Sequence, residues 1–148
     1  MTGNPDKALL LRFLDNPGAP AVVDSNPLAV ALRCRLLEAD PMKGFVRLDF
    51  EPDETFLQGN GAVQGGAVAA MLDFAMAFAA LAALPGEQGG ATTSMTVNYL
   101  KAVRAGRYEA IGRIERKGRS VVFARGELRP EGGLELAATA SSVLAVIS

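Results

Sequence analysis

Between Val63 and Leu84 this chain is almost wholly apolar, and Asp73 is the only charged residue in the stretch. The run is rich in Ala, Met and Leu, lacks a β-branched cluster and ends at Pro85-Gly86. That composition predicts one helix over roughly Gly65–Leu84. A helix that is apolar nearly all round must be buried on most sides, so the remainder of the chain has to supply a surface that covers it. Its length approaches the ~20 residues needed to cross a bilayer, but a central Asp opposes insertion, and no membrane association is expected. An unpaired ionised carboxylate in such surroundings costs several kcal/mol. Asp73 is therefore either satisfied by polar neighbours or used for chemistry.

The covering surface is legible as strands. Leu28–Glu38 alternates, with Val30, Leu32, Cys34 and Leu36 opposite Arg33 and Arg35, and Gly44–Glu51 alternates again after a turn at Asp40-Pro41. These two predict a hairpin. After the helix, period-two patterning over Thr92–Val103, Arg107–Arg116, Ser120–Arg129 and Leu134–Ile147 predicts four more strands. The separators are short, so consecutive strands are expected to be antiparallel neighbours. A short amphipathic helix over Asp6–Leu14 precedes them. The fold class is α+β: one antiparallel sheet wrapped around one long buried central helix. Residues 1–148 read as a single domain, with 1–27 as N-terminal helix and lead-in.

Composition narrows the chemistry. With 49% hydrophobic and 21% charged residues and a net charge of −1, the chain reads as soluble and globular. It has no histidine and one cysteine. Ser-His-Asp and Cys-His arrangements are excluded, and no metal site is expected, so acid–base work falls to Asp, Glu, Lys, Tyr or water. The single Cys34 and the lack of a secretory leader pattern predict a cytoplasmic protein. Nine Lys/Arg against three Glu between Lys101 and Arg129 make a local basic excess. It reads either as a solvated strand face or as a landing surface for a phosphorylated ligand. Nucleic acid is not expected, because no aromatics interleave the basic residues.

Four blocks stand in order: Gln58-x-x-Gly61-x-x-Gln64-Gly65-Gly66, then Leu72-Asp73, then Thr92–Leu100 (TTSMTVNYL), then Lys117-Gly118-Arg119-Ser120. From Leu28 to the C-terminus the chain resembles the hotdog-fold acyl-CoA thioesterases of the phenylacetate-pathway (PaaI-type) group. That resemblance implies a hotdog fold and hydrolysis of an acyl-CoA to acid and CoA. It implies that Gly65 N–H is the oxyanion donor and Asp73 the nucleophile or general base. Gln58 stands where the family has an Asn or Gln that orients carbonyl or water, and Thr92 at a Ser/Thr position near the water. Gly66 and Asn60 are expected to line the substrate site, and Arg116, Lys117, Gly118, Arg119 and Ser120 to lie near the CoA phosphates. No cofactor is implied beyond CoA as part of the substrate. The partner implied is a second copy of the chain, in a homodimer or a dimer of dimers, with the Gly loop of one subunit facing the carboxylate of the other.

Two departures stand out: Gln64 replaces the family's His, and Ala102 replaces a common Pro. Gln can donate and accept hydrogen bonds but cannot carry charge. Taken singly, each residue also has a plain structural reading: Gln64-Gly65-Gly66 as a helix entry, Gln58 as a solvated loop residue, Thr92 as a strand residue, Gly118-Arg119-Ser120 as a hairpin turn. The rival function is a non-catalytic acyl-CoA binding or sensing module whose Gln64 marks reduced activity. The hydratases and dehydratases of the same fold resemble His-dependent machinery, which this chain lacks. The acyl group, and CoA against acyl carrier protein, stay open.

Overall fold

The computed structural model describes residues 3–148; residues 1 and 2 of the expected domain lie outside the described residues. The apolar run folds into helix α3, Gly65–Ala83. Around it the chain forms helix α1 (Pro5–Asp15), strand β1 (Ala21–Val22), helix α2 (Pro27–Ala31), and strands β2 (Arg35–Asp40) and β3 (Phe45–Phe50). Beyond α3 come β4 (Gly89–Tyr99), β5 (Tyr108–Lys117), β6 (Val121–Pro130) and β7 (Ala138–Ile147). All seven strands make one antiparallel sheet in the order β1-β2-β3-β5-β6-β7-β4. Helix α3 packs on its inner face against β3, β4, β5, β6 and β7, which is the hotdog arrangement.

The close fit of helix to sheet has a residue-level cause. Gly112 on β5 is in register with Gly126 on β6, and Gly126 with Ala140 on β7. These small residues cut a trough across the sheet, and Ala75 and Met76 of α3 lie in it. A Cβ at Gly112 would collide with the Ala75 carbonyl, and one at Gly126 would meet Leu72 Cδ2 at 3.2 Å. Neither glycine has positive φ; distance alone demands them. Gly112→Ala is expected to destabilise the protein by about 3 kcal/mol, since the added methyl meets backbone that cannot yield cheaply. Urea unfolding checks this, and a loss below about 1 kcal/mol would show that the helix can lift from the sheet at little cost.

A second tie fixes the far end of α3. Pro85 has no N–H, so the carbonyl of Leu81 has lost its donor in the next turn. Lys7 on α1 replaces it: Lys7 Nζ donates to the carbonyls of Leu81 (2.7 Å) and Leu84 (2.8 Å). The ammonium also suits the negative end of the helix dipole. Burial pushes the Lys7 amine below its ordinary value, with Glu87 pulling the other way.

Several sequence expectations are corrected. Leu28–Ala31 is helical, not strand: the Asn26 side chain accepts from Ala29 N (2.8 Å) and Pro27 occupies the first helical turn. Capping chemistry overrides the alternation there, and Leu28 and Val30 are exposed. β4 and β5 are not neighbours. β4 ends at Tyr99 rather than Val103, which leaves eight linking residues, Leu100–Arg107. Three strand spacings separate β4 from β5, about 14 Å, well within reach of such a link. β7 begins at Ala138, not Leu134. The two-residue strand β1 and a 3-10 turn at Glu54–Phe56 gave no periodic signal. Cys34 is buried in the core, and burial pushes its thiol up, so it is no thiolate nucleophile.

Candidate active site

The approach to α3 is held mainly by backbone hydrogen bonds. Gln58 N–H donates to the Ala62 carbonyl (2.7 Å) and Gly61 N–H to the Gln58 carbonyl (3.0 Å), with Gly61 at φ +86°. Val63 N–H reaches the Val103 carbonyl (2.8 Å), and Gln64 N–H the Phe56 carbonyl (2.7 Å). Gln64 is the N-cap residue, and its carbonyl accepts from Ala67 and Val68. Its side chain makes no capping bond. The turn therefore does not depend on the side chain at position 64, where the family pattern has His. The first amides of α3, at Gly65 and Gly66, point outward without intrahelical acceptors, as the first turn of any helix must. Such amides, with the dipole behind them, suit a developing oxyanion.

Tyr99, the last residue of β4, braces this entry. Its hydroxyl donates to the Gly65 carbonyl at 2.7 Å, and its ring lies 3.4 Å from where a Cβ on Gly65 would sit. The chain then crosses beneath the sheet beside the Gln58–Gly66 approach. The two segments flank an open cavity of about 510 Å³ lined by Gln58, Asn60, Gly65, Gly66, Tyr99, Lys101 and Arg104 among others. Asn60 also shapes its own turn, its side chain accepting from Ala62 N–H at 3.3 Å.

Asp73 lies elsewhere on α3. Thr92 Oγ1 donates to Asp73 Oδ1 at 2.7 Å. An irregularity in the β4–β7 register between Thr92 and Ser94 accompanies this placement. Contrary to the expectation of deep burial, Asp73 is half-buried. It lies on the stripe of α3 that the sheet leaves open, with Gly66, Ala69, Ala70 and Ala77. Eight residues separate Gly65 from Asp73, about 12 Å along the helix axis.

The structure thus brings the expected site residues into three groups. Gln58, Asn60, Gly65 and Gly66 share the cavity, with exposed Gln64 at its edge. Asp73 and Thr92 pair outside it. Arg116 and Lys117 end β5 and Gly118, Arg119 and Ser120 form the β5–β6 turn, at the other end of α3, where Lys117 Nζ donates to the Ala83 carbonyl (3.1 Å). That end is about 27 Å from Gly65. One chain does not join the three groups. Sequence reasoning missed Tyr99, Lys101 and Arg104 as cavity residues. Tyr99 lay within a quoted motif and the two cations within the basic run, but only the crossing of Leu100–Arg107 reveals what they face.

Comparison with known proteins adds the family context. A family model described as the thioesterase superfamily matches residues 60–137. No curated protein matches the chain. Among solved structures, a phenylacetic acid degradation-related protein of Ralstonia eutropha JMP134 is 29% identical, with a TM-score of 0.79 over 93% of this chain and 98% of that one. A variant of the phenylacetic acid degradation protein PaaI from Thermus thermophilus is 26% identical (TM-score 0.71), covering 81% of this chain and 98% of that one. A Streptococcus mutans protein bound to acetyl-CoA shares the fold at 18% identity (TM-score 0.69), over 76% of this chain and 87% of that one.

Proposed function

The chain belongs to the thioesterase superfamily and is a thioester hydrolase, and from that premise we propose that it cleaves a small aryl- or acyl-CoA thioester to the free acid and CoA. The observation that carries the reading is the open stripe of α3: uncapped amides at Gly65, and two turns on, a carboxylate held by Thr92. The thioester carbonyl oxygen accepts from Gly65 N–H, and Gln58 steadies the carbonyl or the water. Asp73 then acts by one of two routes. As general base it takes a proton from water while the hydroxide adds to the carbonyl; the tetrahedral intermediate expels the CoA thiolate, which receives that proton. As nucleophile it adds directly, expels the thiolate and leaves an anhydride that water hydrolyses.

Either route needs donor and carboxylate within a few ångströms, and one helix holds them about 12 Å apart. A two-fold axis near Ala69, midway between them, sets Gly65 of one subunit opposite Asp73 of the other. Ala69, Ala70 and Ala77 are small enough for two such helices to approach closely, and β4 presents a free sheet edge alongside. The working unit is therefore a homodimer, with a dimer of dimers compatible. The same axis carries the partner's 116–120 segment, which the family resemblance sets near the CoA phosphates, towards the first subunit's helix entry. That the Gln64 turn is held by backbone bonds favours this reading over a non-catalytic acyl-CoA module. A buried, lone cysteine accords with the cytoplasm.

Thiol release from a panel of aryl- and alkyl-CoA esters tests the activity; no turnover on any ester, with saturable CoA-ester binding, would favour the binding module. Subunit mixing tests the shared site. An Asp73→Asn chain and a Gly65→Pro chain, each inactive alone, should regain about a quarter of wild-type activity when co-refolded, because half the dimers are mixed and each mixed dimer holds one intact site. No recovery in mixed dimers would place both groups in one subunit.

A further inference from the structure

We infer that Arg104, assisted by Lys101, binds the phosphate-bearing end of the substrate's carrier in the same cavity that opens on Gly65; this rests on the acyl-CoA reading above. The two walls of the cavity run side by side. Tyr99 touches Gly65, Val103 bonds to Val63, and Arg104 Nη1 reaches the Asn60 carbonyl at 3.4 Å. From the Gly65 end to the Asn60 end is five residues, at most about 17 Å of extended chain. A carbonyl seated on the Gly65 amide thus directs the pantetheine arm along the walls towards Arg104.

The charges along this path have one sign. Lys101 and Arg104 line the cavity and no Asp or Glu does. Arg104 shares with Arg113 and Arg125 of the sheet's outer face the lack of an ion pair among the described residues. Of the three it is the one that lines this cavity, whereas other arginines of that face are paired. Arg35, Arg47, Arg107 and Arg129 are all engaged with carboxylates. Arg104 makes no ion pair among the described residues, and its guanidinium has only the long contact to a neutral carbonyl. Its planar fork matches two phosphate oxygens far better. Lys101 pairs with Glu135 at 2.8 Å, but both side chains are more than half exposed, so a phosphate competes with that pair at little cost.

The test is equilibrium binding by calorimetry of CoA, of 3′,5′-ADP and of pantetheine, which lacks the phosphates. The proteins are wild type, Arg104→Met, Arg104→Met with Lys101→Met, and Arg116→Met with Arg119→Met. Wild type should prefer CoA to pantetheine at least tenfold, and Arg104→Met should remove most of that preference, the double variant nearly all of it. The salt dependence of CoA binding should weaken in parallel. The inference is overturned if wild type binds CoA no better than pantetheine, or if only the 116/119 variant loses the preference. It is also overturned if Arg104→Met leaves CoA affinity intact but weakens thioesters with a carboxylate on the acyl group, because the cations would then serve the acyl end. Wild-type turnover of an acyl-pantetheine separates this from the hydrolase reading. Turnover without a CoA preference sinks the inference alone; a CoA preference lost in Arg104→Met, without turnover of any thioester, sinks the hydrolase reading alone.

Discussion

Asp73→Asn is expected to lower kcat for every accepted thioester by a factor of roughly 10²–10⁴, the range over which a positioned acid–base group contributes. The substitution keeps the shape and keeps an oxygen to accept from Thr92 Oγ1, now 2.7 Å from Asp73 Oδ1. It removes the charge from a half-buried position, so no buried ion is left unpaired and the urea midpoint should stay within experimental error of wild type. What is lost is the ability to attack a carbonyl or to take a proton from water. Steady-state thiol release beside an unfolding curve reads both quantities. Activity within a few-fold of wild type would remove Asp73 from the mechanism and return it to a satisfied helix residue.

Gly65→Pro is the complementary change and should cost about 10²–10³ in kcat, as for loss of one oxyanion donor. Gly65 is the first residue of α3, where proline's fixed φ and missing N–H are tolerated. The preceding Gln64 has ψ of 139°, in the region that a following proline favours. The variant therefore deletes one amide hydrogen while keeping the helix. Gly65→Ala is the control: it retains the N–H and brings a Cβ to 3.4 Å from the Tyr99 ring, an ordinary contact. Its kcat should fall far less. Full activity in Gly65→Pro would mean that another group stabilises the oxyanion.

The parts of the molecule set by local chemistry were legible in the sequence. The Ala/Met/Leu run between Gly65 and Pro85 made α3 plain, and the alternation in β3, β5 and β6 put those strands within a residue or two of their observed bounds. Asp73 stood out because its neighbours are apolar, and its pairing with Thr92 joins two residues that the family resemblance had singled out together. What was not legible depends on distance through space. The order of strands fails from local reading because Leu100–Arg107 is short in sequence yet spans three strand spacings, passing β7 and β6 and leaving β4 at the far edge. Gly112 looked like any strand glycine until the Ala75 carbonyl lay against it. Tyr99 carries no motif of its own that announces a bond to Gly65.

The two ends of α3 are finished in opposite ways, and this divides the molecule into a part open to stabilisation and a part closed to it. At the carboxyl end a buried lysine from another helix satisfies the last carbonyls. At the amino end the residue best placed to cap leaves the amides bare. Gln64→Asp or Gln64→Ser would add about 1 kcal/mol by the ordinary rules of helix capping. The new oxygen would accept from the amide of Gly66, one residue beyond the Gly65 donor, and so set negative charge beside the N–H that a thioester carbonyl must approach, opposing its docking. Stability selected at that end is inhibition by another name, whereas changes around Lys7 are free of the conflict.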